Sequence, residues 1–443
     1  MIRNGKDISS GSVVSTQVCI IGSGPAGITA AWCLQKAGIK VTLIEGSRDY
    51  GTAWKESWPD KVLLYNGVAD GLFATNEPEF LILPYVGHTS PAWERERVFG
   101  GTSAHWGGQS HWAGILQAEV PHLAGFDTEM YQFVGPNYRN FATRTFDGKT
   151  IGESPVDVIL NASLLNIDHT NGIVKGLRVA SMDVGSSPRK ATEFKVQADV
   201  YVLACGAVAN AHQLLLSNAG NEHDQVGRYF MCHPLAQGSI VRITKPYLSN
   251  AQSRLMNGQT PNGDPWHDEN RVGVTGRFSP DAEQQKKLGI GSCWFWSGGG
   301  QYYFEMAPNP DSRVRLADTH DPVFGQQQTR ITWELTPLDE TTYNQSTQLF
   351  KAAVNHLNGD VSFQSWASVK SQLVDNGHHI GTTRMSSDPT KGVVDANLKV
   401  HSLDNLYVAG SSVFATAGIS NPTFTIITLS IRLAEHLSKT LGS

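Results

Sequence analysis

The stretch His378-His379-Ile380-Gly381-Thr382-Thr383-Arg384-Met385 sets two imidazoles in a Gly/Thr-rich turn. A second polar turn, Gly418-Ile419-Ser420-Asn421-Pro422-Thr423, carries a carboxamide. Between them, Asn405-Leu-Tyr-Val-Ala-Gly410 reads as a buried strand. An imidazole with a pKa near ~6.5 can take a proton at neutral pH, and an amide can orient a hydroxyl group. An alcohol is a poor hydride donor until its proton is withdrawn, so this pair suits proton abstraction from a CH–OH group. A structural histidine satisfied by hydrogen bonds is the competing reading of His378. His379, one residue along, competes with it as the base.

At the other end of the chain, Val13 to Ile21 is an apolar run ending at Gly22-Ser23-Gly24-Pro25-Ala26-Gly27. Helix formers follow from Ala26 to Ala37, closed by Gly38. Lys40 to Glu45 forms a second strand, which completes a βαβ unit. In that setting Gly22, Gly24 and Gly27 permit a tight turn and close backbone approach to a pyrophosphate at the helix N-terminus. Glu45 can accept hydrogen bonds from ribose hydroxyls and would repel a 2′-phosphate. The fingerprint alone does not separate NAD from FAD.

These elements imply an α/β fold, a Rossmann-like dinucleotide domain with an inserted antiparallel-sheet substrate domain. The expected boundaries are 1–235 with 370–443 for the first and 236–369 for the second. Val156 to Leu165 and Gly172 to Met182 are predicted to form a hairpin around Asn171-Gly172. Val200 to Cys205 is a further buried strand, followed by Gly206 and a helix over Ala209 to Ser217. Short alternating segments, Arg313 to Leu316 and Arg330 to Leu335, and a helix from Thr342 to Leu357 are assigned to the substrate domain. A closing helix runs from Thr425 to Leu441.

The 443 residues exceed one compact core, which favours two packed subdomains. A net charge of −5 without a Lys/Arg cluster gives no basis for nucleic-acid binding. The five cysteines are scattered, with no Cys-x-x-Cys pair. They read as free thiols in a reducing compartment, which disfavours a disulfide reductase and a metal site. Asp318, His320 and Asp321 look like metal ligands but are read as a polar turn beside Pro322 and Gly325. No signal-peptide core, twin-arginine pair or ~20-residue apolar run is present, so a cytoplasmic protein without a membrane segment is expected. Trp294-Phe295-Trp296 and Tyr302-Tyr303 are read as strand core rather than a sugar-binding platform.

Several further stretches occur in one order along the chain. They are Gly100-Gly-Thr-Ser-Ala-His-Trp-Gly-Gly108, Val202-Leu-Ala-Cys-Gly-Ala-Val-Ala-Asn-Ala-His-Gln-Leu-Leu-Leu-Ser217, Gly227-Arg-Tyr-Phe-Met-Cys-His-Pro234 and Pro310-Asp-Ser-Arg-Val-Arg-Leu316. With the fingerprint and the C-terminal pair, they resemble the glucose-methanol-choline (GMC) oxidoreductases, FAD-dependent enzymes that oxidise alcohols and sugars. The resemblance implies that His378 is the catalytic base and Asn421 the residue that orients the hydroxyl, with hydride passing to flavin N5. It places Gly101, Thr102, His105, Trp106, Gly206, Gly410, Ser411, Asn421, Pro422 and Thr423 beside FAD. Ser103-Ala-His-Trp106 is similar to the Ser-Thr-His-Trp stretch of pyranose oxidases, where this histidine bonds the flavin covalently. His105 therefore stands either as a covalent FAD link or as a hydrogen-bonding neighbour of free FAD, with Ala104 departing from the pattern. The substrate implied is a small alcohol or sugar, and oxygen, a quinone or a protein takes the electrons. Hydroxynitrile lyases of the same family, which hold FAD only structurally, are the alternative. His212 and His233 follow the family pattern as scaffold positions.

Overall fold

The computed structural model describes residues 1–46, 109–111, 121–133, 141, 144–183, 190–236, 240–257, 274–296, 301–320, 324–375 and 377–442. Val18, Cys19, Ile20 and Ile21 are buried, as are all four residues of Val41–Ile44. Strands buried on both faces belong in the middle of a helix-covered parallel sheet, and both are found there. The sheet runs Ile2–Asn4, Asp157–Leu160, Val41–Ile44, Val13–Ile21, Lys190–Leu203, Ile173–Asp183, Ser163–Thr170. The first five are mutually parallel and the last two add an antiparallel flank.

Lys190–Leu203 forks. Lys190 to Val196 pairs with Ile173–Asp183, whereas Tyr201 to Leu203 pairs in parallel with Leu406–Val408. The C-terminal segment thereby returns to the dinucleotide sheet, as the sequence implies. Helix Pro25–Lys36 starts at Gly24 with proline in its first turn and buries Ile28, Ala31 and Leu34. It packs against helix Thr423–Leu441, whose Leu433 and Leu437 share the same core.

The hairpin turn is where the sequence puts it, with Asn171 (φ 49°) and Gly172 (φ 73°) both left-handed. Its first arm differs. Val156 to Leu165 contains two strands, Asp157–Leu160 in the parallel sheet and the start of Ser163–Thr170. Asn161, at φ 52°, breaks the run, because a left-handed residue cannot continue a strand.

A seven-stranded antiparallel sheet forms the second layer. Its order is Leu373–Val374, Leu235–Ala236, Tyr302–Phe304, Cys293–Trp296, Val274–Pro280, Phe126–Phe133, Gln109–His111. Two of these strands precede residue 134 in the chain, so the sheet draws on both sides of the central segment. Helix Pro337–His356 packs beside it, with Phe350, Phe295, Phe278 and Tyr302 in one aromatic core. That helix begins five residues before the expected Thr342, because Thr336 and Asp339 make a capping box and Pro337 occupies its first turn. Arg313–His320 and Gln327–Thr332 pair as a separate two-stranded sheet. Among the described residues, no helix is long and apolar enough to cross a membrane.

Candidate active site

The loop bearing His378 is zipped between two backbones. Met231 and Ile380 exchange N–H···O bonds of 3.0 and 2.9 Å. Gly381, Thr383 and Met385 donate to the carbonyls of Ser411, Ser412 and Val413 at 3.1, 2.8 and 2.9 Å. Gly381 lies at φ 91°, and a Cβ there would stand 2.3 Å from the Tyr229 carbonyl oxygen, so only glycine lets the two backbones meet. The Asn421 turn is tied to the residue just after strand Tyr302–Phe304, where the Gly418 N–H donates to Glu305 Oε1 at 2.8 Å.

This arrangement brings His378 and Asn421 together. Asn421 Nδ2 lies 3.3 Å from His378 Nε2, and its Oδ1 is buried with no hydrogen-bond partner among the described residues. On the other side of the ring, His378 Nδ1 lies 3.0 Å from His233 Nδ1 and 2.8 Å from the Tyr303 hydroxyl. His233 Nε2 donates to the Gly418 carbonyl at 2.7 Å. Burial, reinforced by the neighbouring His233, holds the His378 pKa well below the ordinary histidine value against the opposing pull of Asp375. Burial likewise pushes His233 down to about 4, although the Gly418 and Ala417 carbonyls favour its charged form. Both rings are neutral at physiological pH, the state a proton acceptor needs.

His379 faces elsewhere. Its Nε2 pairs with the Asp375 carboxylate, its ring packs against Phe230 at 5.3 Å, and its carbonyl accepts from Ser411 Oγ at 2.6 Å. Burial would raise the Asp375 carboxyl, but the His379 charge, its hydrogen bond and the Gly377 N–H outweigh that and hold it low.

Three neighbours of the pair carry no site role in the sequence reading: His233, Tyr303 and Glu305. Strand alternation carries the signal for Tyr303. Adjacent tyrosines must face opposite sides of the sheet; the Tyr302 hydroxyl meets Ser346 Oγ at 3.2 Å while that of Tyr303 reaches His378. Trp294 stacks on Tyr303 with ring centroids 4.8 Å apart and is 2% exposed, which makes it core.

The dinucleotide turn passes a steric test. A Cβ on Gly27 would stand 1.9 Å from the Gly22 carbonyl oxygen, and one on Gly22 (φ 101°) 2.5 Å from that of Ala204. Those two glycines serve close packing of the turn. Gly24, Gly206 and Gly410 differ, since a Cβ on any of them would meet nothing within 4 Å. Gly206 and Gly410 also have φ of 85° and 115°. These open backbones, at the ends of strands Val13–Ile21, Lys190–Leu203 and Leu406–Val408, leave room for a ligand where an α/β sheet binds one. Glu45 is buried, with Oε2 accepting from the Ser23 N–H and hydroxyl at 3.0 and 2.6 Å. The cradle fits a dinucleotide, for which Gly24 would receive the pyrophosphate and Glu45 the ribose. Ser411, Pro422 and Thr423 lie where the loop and helix Thr423–Leu441 begin. Gly101, Thr102, His105 and Trp106 fall outside the described residues, as does Asp321. None of the five cysteines, all of them among the described residues, is in a disulfide.

Residues 308–430 match the family model for GMC oxidoreductase, and residues 16–231 match that for pyridine nucleotide-disulphide oxidoreductase. The chain is 29% identical over 296 residues to 6'''-hydroxyparomomycin C oxidase of Streptomyces lividus, covering 60% of this chain and 50% of that protein. It is 24% identical over 265 residues to the fructose dehydrogenase large subunit of Gluconobacter japonicus, covering 55% and 48%. The chain thus spans about half the length of the curated relatives it matches. In fold it is similar to the crystal structure of pyridoxine 4-oxidase from Mesorbium loti, with a TM-score of 0.59, 14% identity, and coverage of 95% of this chain and 99% of that one. The chain thus carries a GMC oxidoreductase C-terminal domain joined to an FAD-dependent oxidoreductase domain, with a dinucleotide cradle that fits FAD.

Proposed function

We propose that the protein oxidises a CH–OH group of a sugar or sugar-containing compound, with His378 as the base. The observation that carries this reading is the His378 Nε2–Asn421 Nδ2 contact at 3.3 Å, with the opposite face of the ring already occupied by His233 and Tyr303. Only Nε2 is left to meet a substrate hydroxyl. FAD, when bound, supplies the acceptor for the hydride. The remaining work falls to the chain. His378 Nε2 takes the hydroxyl proton as the C–H bond gives up its hydride and the carbon becomes a carbonyl. Asn421 turns its amide to the same hydroxyl, and the buried surroundings keep His378 neutral and ready. The names of the relatives, which specify 6'''-hydroxyparomomycin C and fructose, support a carbohydrate substrate.

The test is anaerobic mixing of the purified flavoprotein with fructose and a panel of sugars and aminoglycosides. Bleaching of the flavin, with one carbonyl formed per flavin reduced, supports the reading. A protein that binds FAD yet is bleached by none of these alcohols, while cleaving a cyanohydrin, refutes it.

A further inference from the structure

His233 touches the base and takes no part in the steps above. Its proton inventory can be counted. The Gly418 carbonyl can only accept, so at 2.7 Å His233 Nε2 carries a hydrogen. A neutral ring with its hydrogen on Nε2 has a bare Nδ1. That bare nitrogen faces His378 Nδ1 at 3.0 Å, and two lone pairs at this distance would repel. The hydrogen between them belongs to His378 Nδ1, and the Tyr303 oxygen, 2.8 Å from the same nitrogen, is a second acceptor for it. His378 Nε2 is then bare.

We propose that His233, oriented by the Gly418 carbonyl, is a positioning residue that holds His378 in the tautomer with its proton on Nδ1, leaving Nε2 as the basic atom. The inference rests on His378 being the base and adds what makes the right nitrogen basic. Tyr303 is the competing influence. Without His233 its O–H can donate to His378 Nδ1, which would move the ring proton to Nε2 and block abstraction there.

Nitrogen-15 NMR of the histidine-labelled, FAD-containing protein reads the tautomer without turnover. The wild-type protein should show His378 protonated on Nδ1, and His233→Phe should shift that proton toward Nε2. Anaerobic flavin reduction should slow by about 10²-fold in His233→Phe, a wrong imidazole tautomer costing up to about 10⁴-fold. His233→Asn, whose Oδ1 falls near the place of imidazole Nδ1, should keep most of the rate. Removing the competing phenol in His233→Phe/Tyr303→Phe should recover part of the loss. A wild-type His378 protonated on Nε2, or an unchanged tautomer and rate in His233→Phe, overturns the proposal; the wild-type spectrum decides alone if that variant does not fold. Normal flavin reduction in His378→Ala would instead strike the base assignment, leaving the tautomer measurement to judge His233 separately.

Discussion

Replacing His378 with alanine removes the nitrogen proposed to receive the hydroxyl proton, and three substitutions together measure what that is worth. A positioned general base contributes about 10²–10⁴-fold, or roughly 3–5 kcal/mol of barrier. The Asn421 contact, at 3.3 Å, lies at the long end of the hydrogen-bond range. One such bond is worth about 0.5–1.5 kcal/mol, so Asn421→Ala should cost roughly 2- to 13-fold. His379 behaves differently because its partner is the carboxylate of Asp375, with side chains 7% and 14% exposed. Removing it takes a hydrogen-bond partner from a buried carboxylate, a loss of about 1–3 kcal/mol in stability rather than in rate. Stopped-flow flavin reduction under nitrogen, normalised to the FAD-bound fraction, gives the rates, and thermal denaturation gives the stabilities. The expected order of rate loss is His378→Ala, then Asn421→Ala, then His379→Ala, with the largest fall in Tm for His379→Ala. A near-normal His378→Ala enzyme beside a dead but well-folded His379→Ala enzyme would move the base one residue along and refute the reasoning.

Because burial holds His378 below the ordinary histidine range, the reductive rate should stay level as pH falls through ~6.5 and drop only at lower pH; a midpoint at or above 6.5 contradicts the environment described. Stability should follow the same sign. His233, with its pKa lowered to about 4, resists protonation that the unfolded chain accepts, so stability is full above pH 6.5 and declines toward pH 4 by up to about 1.4 kcal/mol per unit, as denaturant titrations across that window would show. Gly24→Ala should fold with a normal Tm and bind FAD more weakly, whereas Gly27→Ala should lose stability outright from the 1.9 Å clash; equal behaviour of the two in melts and FAD titrations would contradict the division of roles. Acid precipitation should leave the yellow colour in the wild-type pellet and release it from His105→Ala, and colour wholly in the wild-type supernatant rules out a covalent link.

How much of this was readable beforehand depended on whether the signal was local. The βαβ unit, the Asn171-Gly172 turn and the closing helix each lie within a short window, and each is found close to its expected place. The juxtaposition of His378 and Asn421 came from family resemblance, since no periodicity links two turns on separate elements. His233 illustrates what was lost. It sits 145 positions from His378, and long-range backbone bonds such as the exchange between Met231 and Ile380 bring the two rings together. Pairings at such range leave no trace in composition or spacing. The split of Val156 to Leu165 into two strands went unread for another reason. Asparagine is tolerated in the left-handed region but does not demand it, so Asn161 was not recognisable as a break.

The forked strand has a consequence for the order in which the molecule can assemble. Tyr201 to Leu203 offer a half-paired edge until Leu406–Val408 arrives, some 200 residues later in the chain. The loop holding His378 depends on the same arrival, because its backbone partners, Ser411 to Val413, directly follow that strand. A nascent chain emerges N-terminus first, so the dinucleotide half can collapse while this edge is still open. Contacts so distant in sequence form slowly, and an open edge invites pairing with another chain in the interval. Catalytic competence in this architecture is therefore a late event of folding, and the interval before it is when the chain is most exposed to aggregation.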